Sequence, residues 1–193
     1  MKKIFRVLVV FTVVTLFTSG MIFAQSSPID KGSKMIAGEL AFSSASGDLY
    51  ENSDGDGVTS IEADPFFAYF IAPGLAVGAN VLFESESQGD YSQSAWGIGP
   101  RVIYFIGSNG PTYPYVDVSF LYLSGSWDSG ENEYSWSGNM IRFGGGVMHM
   151  ITSSVGLYGG VAYSIDSMKP EDGDSESGSQ FHIAGGLAVF LYK

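Results

Sequence analysis

The chain has 193 residues, no cysteine and a formal net charge of −11. The length suits one domain. The lack of cysteine excludes a disulfide framework and a lipid-modified cysteine anchor. The acidic balance argues against a nucleic-acid partner, because phosphate binding needs clustered Lys and Arg.

The amino terminus reads as a secretory signal peptide over residues 1–24. Lys2, Lys3 and Arg6 form a basic start, Val7 to Phe17 is an apolar run broken only by Thr12 and Thr15, and Ala24 is the expected last residue removed. The rival reading is an uncleaved anchor, since no charge lies between Arg6 and Asp30. The run is short for a spanning helix, which needs roughly 20 mostly apolar residues. Cleavage leaves residues 25–193 as one domain, with six basic against 20 acidic residues and a net charge of −14. Abundant glycine and 15% aromatic residues suit closely packed strands with aromatic belts better than a disordered acidic chain.

From Lys34 onward the apolar pattern has period two, the signature of strands. Eight segments follow in order: Lys34 to Ser46, Val58 to Ile71, Leu75 to Glu84, Ser92 to Ile106, Tyr115 to Ser126, Ser135 to Met150, Val155 to Ser167, and Gly178 to Tyr192. The connections after the first, third, fifth and seventh are polar and acidic (GDLYENSDGDG, SESQGDY, WDSGENEY, MKPEDGDSES). Those after the second, fourth and sixth (APG, GSNGPTYP, ITSS) are shorter or less charged. Long connections on one side and short turns on the other describe an up-and-down barrel, with both chain ends on the periplasmic side and acidic loops outside the cell.

The two faces of each strand differ. In the third segment Leu75, Val77, Ala79, Val81 and Phe83 oppose Ala76, Gly78, Asn80 and Leu82. In the seventh, Val155, Leu157, Val161, Tyr163 and Ile165 oppose Gly156, Tyr158, Gly160, Ala162 and Ser164. The charges within strands, Glu39, Glu62, Asp64, Arg101, Asp117, Arg142 and Asp166, all take the less apolar face. A soluble sandwich or lipocalin-like barrel would turn its apolar face inward and show water a face rich in Lys, Thr and Glu. Here the second face is mostly Gly, Ala and Ser, which suits the narrow inside of a closed eight-stranded membrane barrel. Trp96 and Tyr163 near the loop ends, and Tyr69 and Tyr104 near the turn ends, lie on the apolar face as two headgroup-level bands would require; β-propensity alone also favours such residues in strands. Trp136, Tyr115 and Tyr158 have inward parity.

Three stretches carry a resemblance: Pro65-Phe-Phe-Ala-Tyr-Phe-Ile-Ala-Pro-Gly-Leu-Ala-Val-Gly78, Gly97-Ile-Gly-Pro-Arg-Val-Ile-Tyr104, and Gly144-Gly-Gly-Val-Met-His-Met-Ile-Thr-Ser-Ser-Val-Gly-Leu157. They make the chain resemble the outer-membrane β-barrel domain family, the small OmpA/OmpX-like and porin-family proteins, over essentially all of residues 25–193. The resemblance implies an all-β, eight-stranded antiparallel transmembrane barrel in the bacterial outer membrane and attaches no chemistry. Barrels of this family commonly end on an aromatic residue; this chain ends Phe190-Leu-Tyr192-Lys193, and Phe190 and Tyr192 share the parity of His182.

The inward charges are the first candidate site. An unpaired charge in a narrow interior is costly, so Arg101 is expected to reach Glu62 or Asp64, and Arg142 to lie near Asp117 or Asp166. The structural version is a plug of ion pairs; the functional version is a gated ion path. Second, Asn52-Ser-Asp54-Gly-Asp56-Gly57 looks like the opening of a calcium loop but has Ala63 where the closing Glu belongs. Asp54 and Asp56 are therefore weak candidates for divalent cations, against the ordinary reading of solvated, repelling loops. Third, His149 is expected at the lipid headgroups, and His182 inside the barrel beside Gln180, with no hydroxyl partner apparent on its own strand. No Ser-His motif marks an enzyme. The expected role is structural or surface-interactive, with no catalysis and no cofactor. Expected partners are outer-membrane lipid and, at the loops, divalent cations or extracellular ligands, for a monomer. A narrow channel for small solutes or ions and a lipid-modifying enzyme are the alternatives.

Overall fold

The computed structural model describes residues 27–46, 59–88, 91–107, 110–128, 133–171 and 173–192. The signal-peptide segment, Asp54 and Asp56, and Lys193 lie outside them. Eight strands are formed: β1 (Lys34–Ser46), β2 (Thr59–Ala72), β3 (Leu75–Gln88), β4 (Tyr91–Phe105), β5 (Thr112–Asp128), β6 (Glu133–Met150), β7 (Val155–Pro170) and β8 (Glu176–Leu191). Each pairs antiparallel with the next, and β8 returns to β1, so the sheet closes on itself. Closure pairs the backbone groups that a bilayer could not satisfy.

The segment count and order agree with the period-two pattern, and the ends differ. Most of SESQGDY and half of WDSGENEY is strand: β3 runs to Gln88, β4 starts at Tyr91, β5 runs to Asp128 and β6 starts at Glu133. Polar residues on both faces hide the alternation there, yet the ladder continues, with Ser87 opposite Ser92 and Trp127 opposite Tyr134. The asymmetry between the two ends is thus carried largely by strands that project polar tips beyond the apolar zone. At the other end, Pro73-Gly74 makes the two-residue turn between β2 and β3. Gly74 has φ 76, the left-handed conformation that a type II turn requires after proline.

The wall obeys one rule outside. Leu40 and Ile61, both 66% exposed, and Phe83, Ile98, Phe120, Phe143, Leu157 and Ile183 all stand on the outer surface. A soluble protein would bury such residues; a continuous apolar exterior fits hydrocarbon. Trp96, Tyr163, Tyr69 and Tyr104 stand outside among them.

Inside, the fill is layered. Phe66, Phe70, Phe105, Phe190, Tyr115, Tyr158, Met35 and Met148 pack at the short-turn end, where Ile29 from the preceding segment joins them. Leu82, Leu121, Leu123, Trp136, Met140 and Met168 pack toward the other end. Between them lies a charged layer. Trp136, Tyr115 and Tyr158 point inward as their parity demands, and glycine makes the room. A Cβ on Gly160 would stand 2.9 Å from the Tyr115 hydroxyl, and one on Gly186 2.8 Å from that of Tyr158. Phe190 is buried in the lumen and Tyr192 donates to the Ser153 carbonyl, so the inward assignment of β8 holds.

Candidate functional site: a charged layer joining all eight strands

Alternation brings one inward residue per two positions to each level of the lumen, and the register sets which levels meet. Asp64 lies directly opposite Glu39, and Glu62 opposite Glu84. Like charges placed so are unfavourable without cations between them. Arg101 of β4 supplies one: its guanidinium lies 3.7 Å from Glu39, 3.8 Å from Asp64 and 3.2 Å from Asp117. Its Cζ also sits 4.4 Å from the centre of the Phe66 ring, joining the charged layer to the aromatic one below. Arg142 of β6 is a second cation in the layer, 2.9 Å from Glu62 and 3.4 Å from Asp64.

The expectation for Arg101 is thus met at Asp64; its other partners are Glu39 and Asp117 rather than Glu62. The expectation for Arg142 is corrected: its ion pairs are with Glu62 and Asp64, not with Asp117 or Asp166. Register explains this. Arg142 stands opposite Ser119 and Ser164, whereas Asp117 faces Gly144 and Asp166 faces Met140. The acids on the adjacent strands are each one pleat off level, while the long side chain spans the narrow lumen to β2.

The layer continues through neutral groups. Asn80 of β3 donates to Asp64 at 3.0 Å. Ser164 of β7 donates to Asp166 at 3.0 Å, and its oxygen lies 3.0 Å from His182 Nε2 of β8. His182 Nδ1 lies 3.2 Å from Glu62. Every strand therefore contributes: Glu39, Glu62 with Asp64, Asn80, Arg101, Asp117, Arg142, Ser164 with Asp166, and His182. His182 is fully buried and reaches from the last strand across β1 to β2, spanning the closing seam. Its hydroxyl partner comes from the neighbouring strand, in register with Gln180, so the Gln180 contact expected from the sequence gives way to Ser164. Ser164 and Asn80 escaped the sequence reading as partners. Their inward parity was the available signal, but parity gives a face and no depth.

Glu62, His182 and Ser164 stand in the order of a hydrolytic triad. Two features separate them from one: Ser164 and His182 are both fully enclosed, and the Ser164 proton is directed at Asp166. His149, by contrast, is exposed at the short-turn end, its Nδ1 2.8 Å from Thr112 Oγ1, as its expected headgroup position allows. Among the described residues no cluster of three or more His, Asp or Glu is arranged to hold a metal ion.

No protein-family model matches the sequence, and no curated protein does. Solved structures do. Neisserial surface protein A is 17% identical with a TM-score of 0.68, covering 82% of this chain and 99% of its own. The N-terminal β-barrel domain of Pseudomonas aeruginosa OprF is 12% identical with a TM-score of 0.53, covering 83% and 98%. The attachment invasion locus protein Ail of Yersinia pestis is 15% identical with a TM-score of 0.50, covering 81% and 99%. With its closed eight-stranded wall, the chain shares the fold of these small outer-membrane β-barrels.

Proposed function

We propose that this protein is a closed structural and surface-presenting barrel of the outer membrane, plugged by its charged layer, with acidic loops outside the cell. The observation that carries the reading is the lumen's fill: an aromatic layer, a layer of ion pairs and hydrogen bonds drawing on all eight strands, and a second apolar layer, stacked along the axis. Eight strands leave an interior that side chains can fill. Guanidinium groups shared among carboxylates hold that fill in place. Planar-bilayer recordings of the purified barrel test it: silence is expected, and reproducible conductance steps would favour the channel.

The connections at the acidic end set the kind of external partner. Asp48, Glu51, Asp54, Asp56, Asp90, Glu131 and Asp172 lie in them. Ail has been crystallised with a polyanion, the heparin analogue sucrose octasulfate. A polyanion would be repelled by the loops of the present chain, which suit a cationic surface or, weakly, divalent cations. Calcium titration by calorimetry checks the second; no heat at millimolar calcium would exclude it. Ser164 and His182 are enclosed, so this pair offers no accessible nucleophile. Residues 1–24 serve as a cleaved export signal in this reading, which mass measurement of the protein from membranes would verify.

A further inference from the structure

The two ends of the barrel carry opposite charge. Among the described residues at the short-turn end, the charged side chains are Asp30, Lys31 and Lys34, with His149 as the further titratable group. The Asp30 carboxylate accepts the Ser27 N–H at 2.9 Å and so caps its own turn. Lys31 and Lys34 are exposed, and among the described residues no ion pair involves either.

Their positions are fixed by the backbone. Ile29 is inserted beneath the aromatic layer, and its carbonyl accepts the Gly74 N–H at 2.8 Å. Gly32 donates to the Phe70 carbonyl and Phe70 to that of Ser33, both at 2.9 Å. This turn is thereby clamped to the end of β2. Lys34 has outward parity and lies between Tyr69 of β2 and Leu191 of β8 in register. Tyr69, Ile71 and Leu191 are all exposed on the lipid-facing wall. Lys34 thus stands between a tyrosine and a leucine at the edge of the apolar surface, and Lys31 is exposed three residues before it in the turn clamped to β2.

We infer that this β8–β1–β2 rim is a binding site for an anionic phospholipid of the adjoining leaflet. Lys31 and Lys34 take the headgroup phosphate, while Tyr69, Ile71 and Leu191 contact the glycerol region and upper acyl chains. A tyrosine at headgroup depth and lysines at the surface are the groups that such a molecule meets at a membrane boundary. The apolar neighbours select a lipid over free phosphate. The acidic connections at the far end disfavour the same headgroup there, so the site is one-sided. The inference rests on the membrane placement of the barrel.

The test reconstitutes the full protein into vesicles of equal parts phosphatidylglycerol and phosphatidylcholine, releases it into mild detergent, and identifies the retained lipids by native mass spectrometry. The wild type is expected to retain phosphatidylglycerol preferentially. Lys31→Gln and Lys34→Gln should each weaken that preference about fivefold, the electrostatic effect of one lysine at a membrane surface, and Lys34→Arg should keep it. Lys169→Gln, at the opposite end, should leave it unchanged. Equal retention by wild type and the Lys31→Gln/Lys34→Gln double variant would overturn the site, as would a loss that follows Lys169→Gln instead. A barrel that never enters the vesicles would overturn the membrane placement itself.

Discussion

The charged middle of the lumen and the aromatic layer beneath it lie within a few residues of each other on the same strands, and they are held by different physics. The aromatic layer is filled by volume: Phe70, Phe105 and Phe190 meet with ring centres 5.8 to 6.5 Å apart, and their contacts are non-directional. The charged layer is filled by partnership: Arg101 serves three carboxylates on three other strands. Volume tolerates replacement by another shape of similar size, while a shared cation has no apolar substitute as long as its carboxylates remain. The difference teaches that two layers of one lumen, equally buried, should respond oppositely to conservative substitution.

The largest effect is expected at Arg101. Arg101→Met keeps much of the volume but leaves Glu39, Asp64 and Asp117 without their shared cation, and should cost about 3–5 kcal/mol, measured by urea unfolding from lipid vesicles. A small effect there would break the comparison. In the aromatic layer Phe105→Ala should cost about as much, 3–5 kcal/mol, through the cavity it opens. Phe105→Leu should cost less than about 1.5 kcal/mol, because the layer repacks. That contrast with Arg101→Met is the sharpest form of the test. On the outer wall, Ile183→Arg, beside His182 at the level of the charged layer, should cost about 2–4 kcal/mol in bilayers, and much less in detergent. Gly160→Ala should cost about 1–3 kcal/mol through overpacking, since its Cβ would stand 2.5 Å from the Gly145 carbonyl oxygen and 2.9 Å from the Tyr115 hydroxyl. Thr112→Val, which removes only the exposed contact with His149, should stay within about 0.5 kcal/mol.

Much of this architecture was written in the chain. Strand number, the inward face of Glu39, Glu62, Asp64, Arg101, Asp117, Arg142 and Asp166, and the outward face of Trp96 and Tyr163 all follow from period two, because successive side chains must leave a strand on opposite sides. The inward parity of Tyr115, Tyr158 and Trp136 was legible for the same reason, although it ran against the simple picture of aromatics as belts. The glycines against them, Gly160 for Tyr115, Gly186 for Tyr158 and Gly125 for Trp136, resolve that conflict by leaving space inside.

Depth was decided elsewhere. Parity says that Arg142 points inward but not which acid it meets, and a shift of two residues in register keeps every face while changing every partner. The registers of neighbouring strands set Arg142 level with Ser119 and Ser164, and the closed sheet, with β8 returned to β1, sends its guanidinium across to Glu62. The same closure brings His182 over the seam to Glu62, while the β7–β8 register places it beside Ser164. The chain alone thus determined the faces of the barrel, through local stereochemistry. The tertiary structure determined the partners, because they depend on the stagger of strands far apart in sequence and on the small diameter that closure imposes.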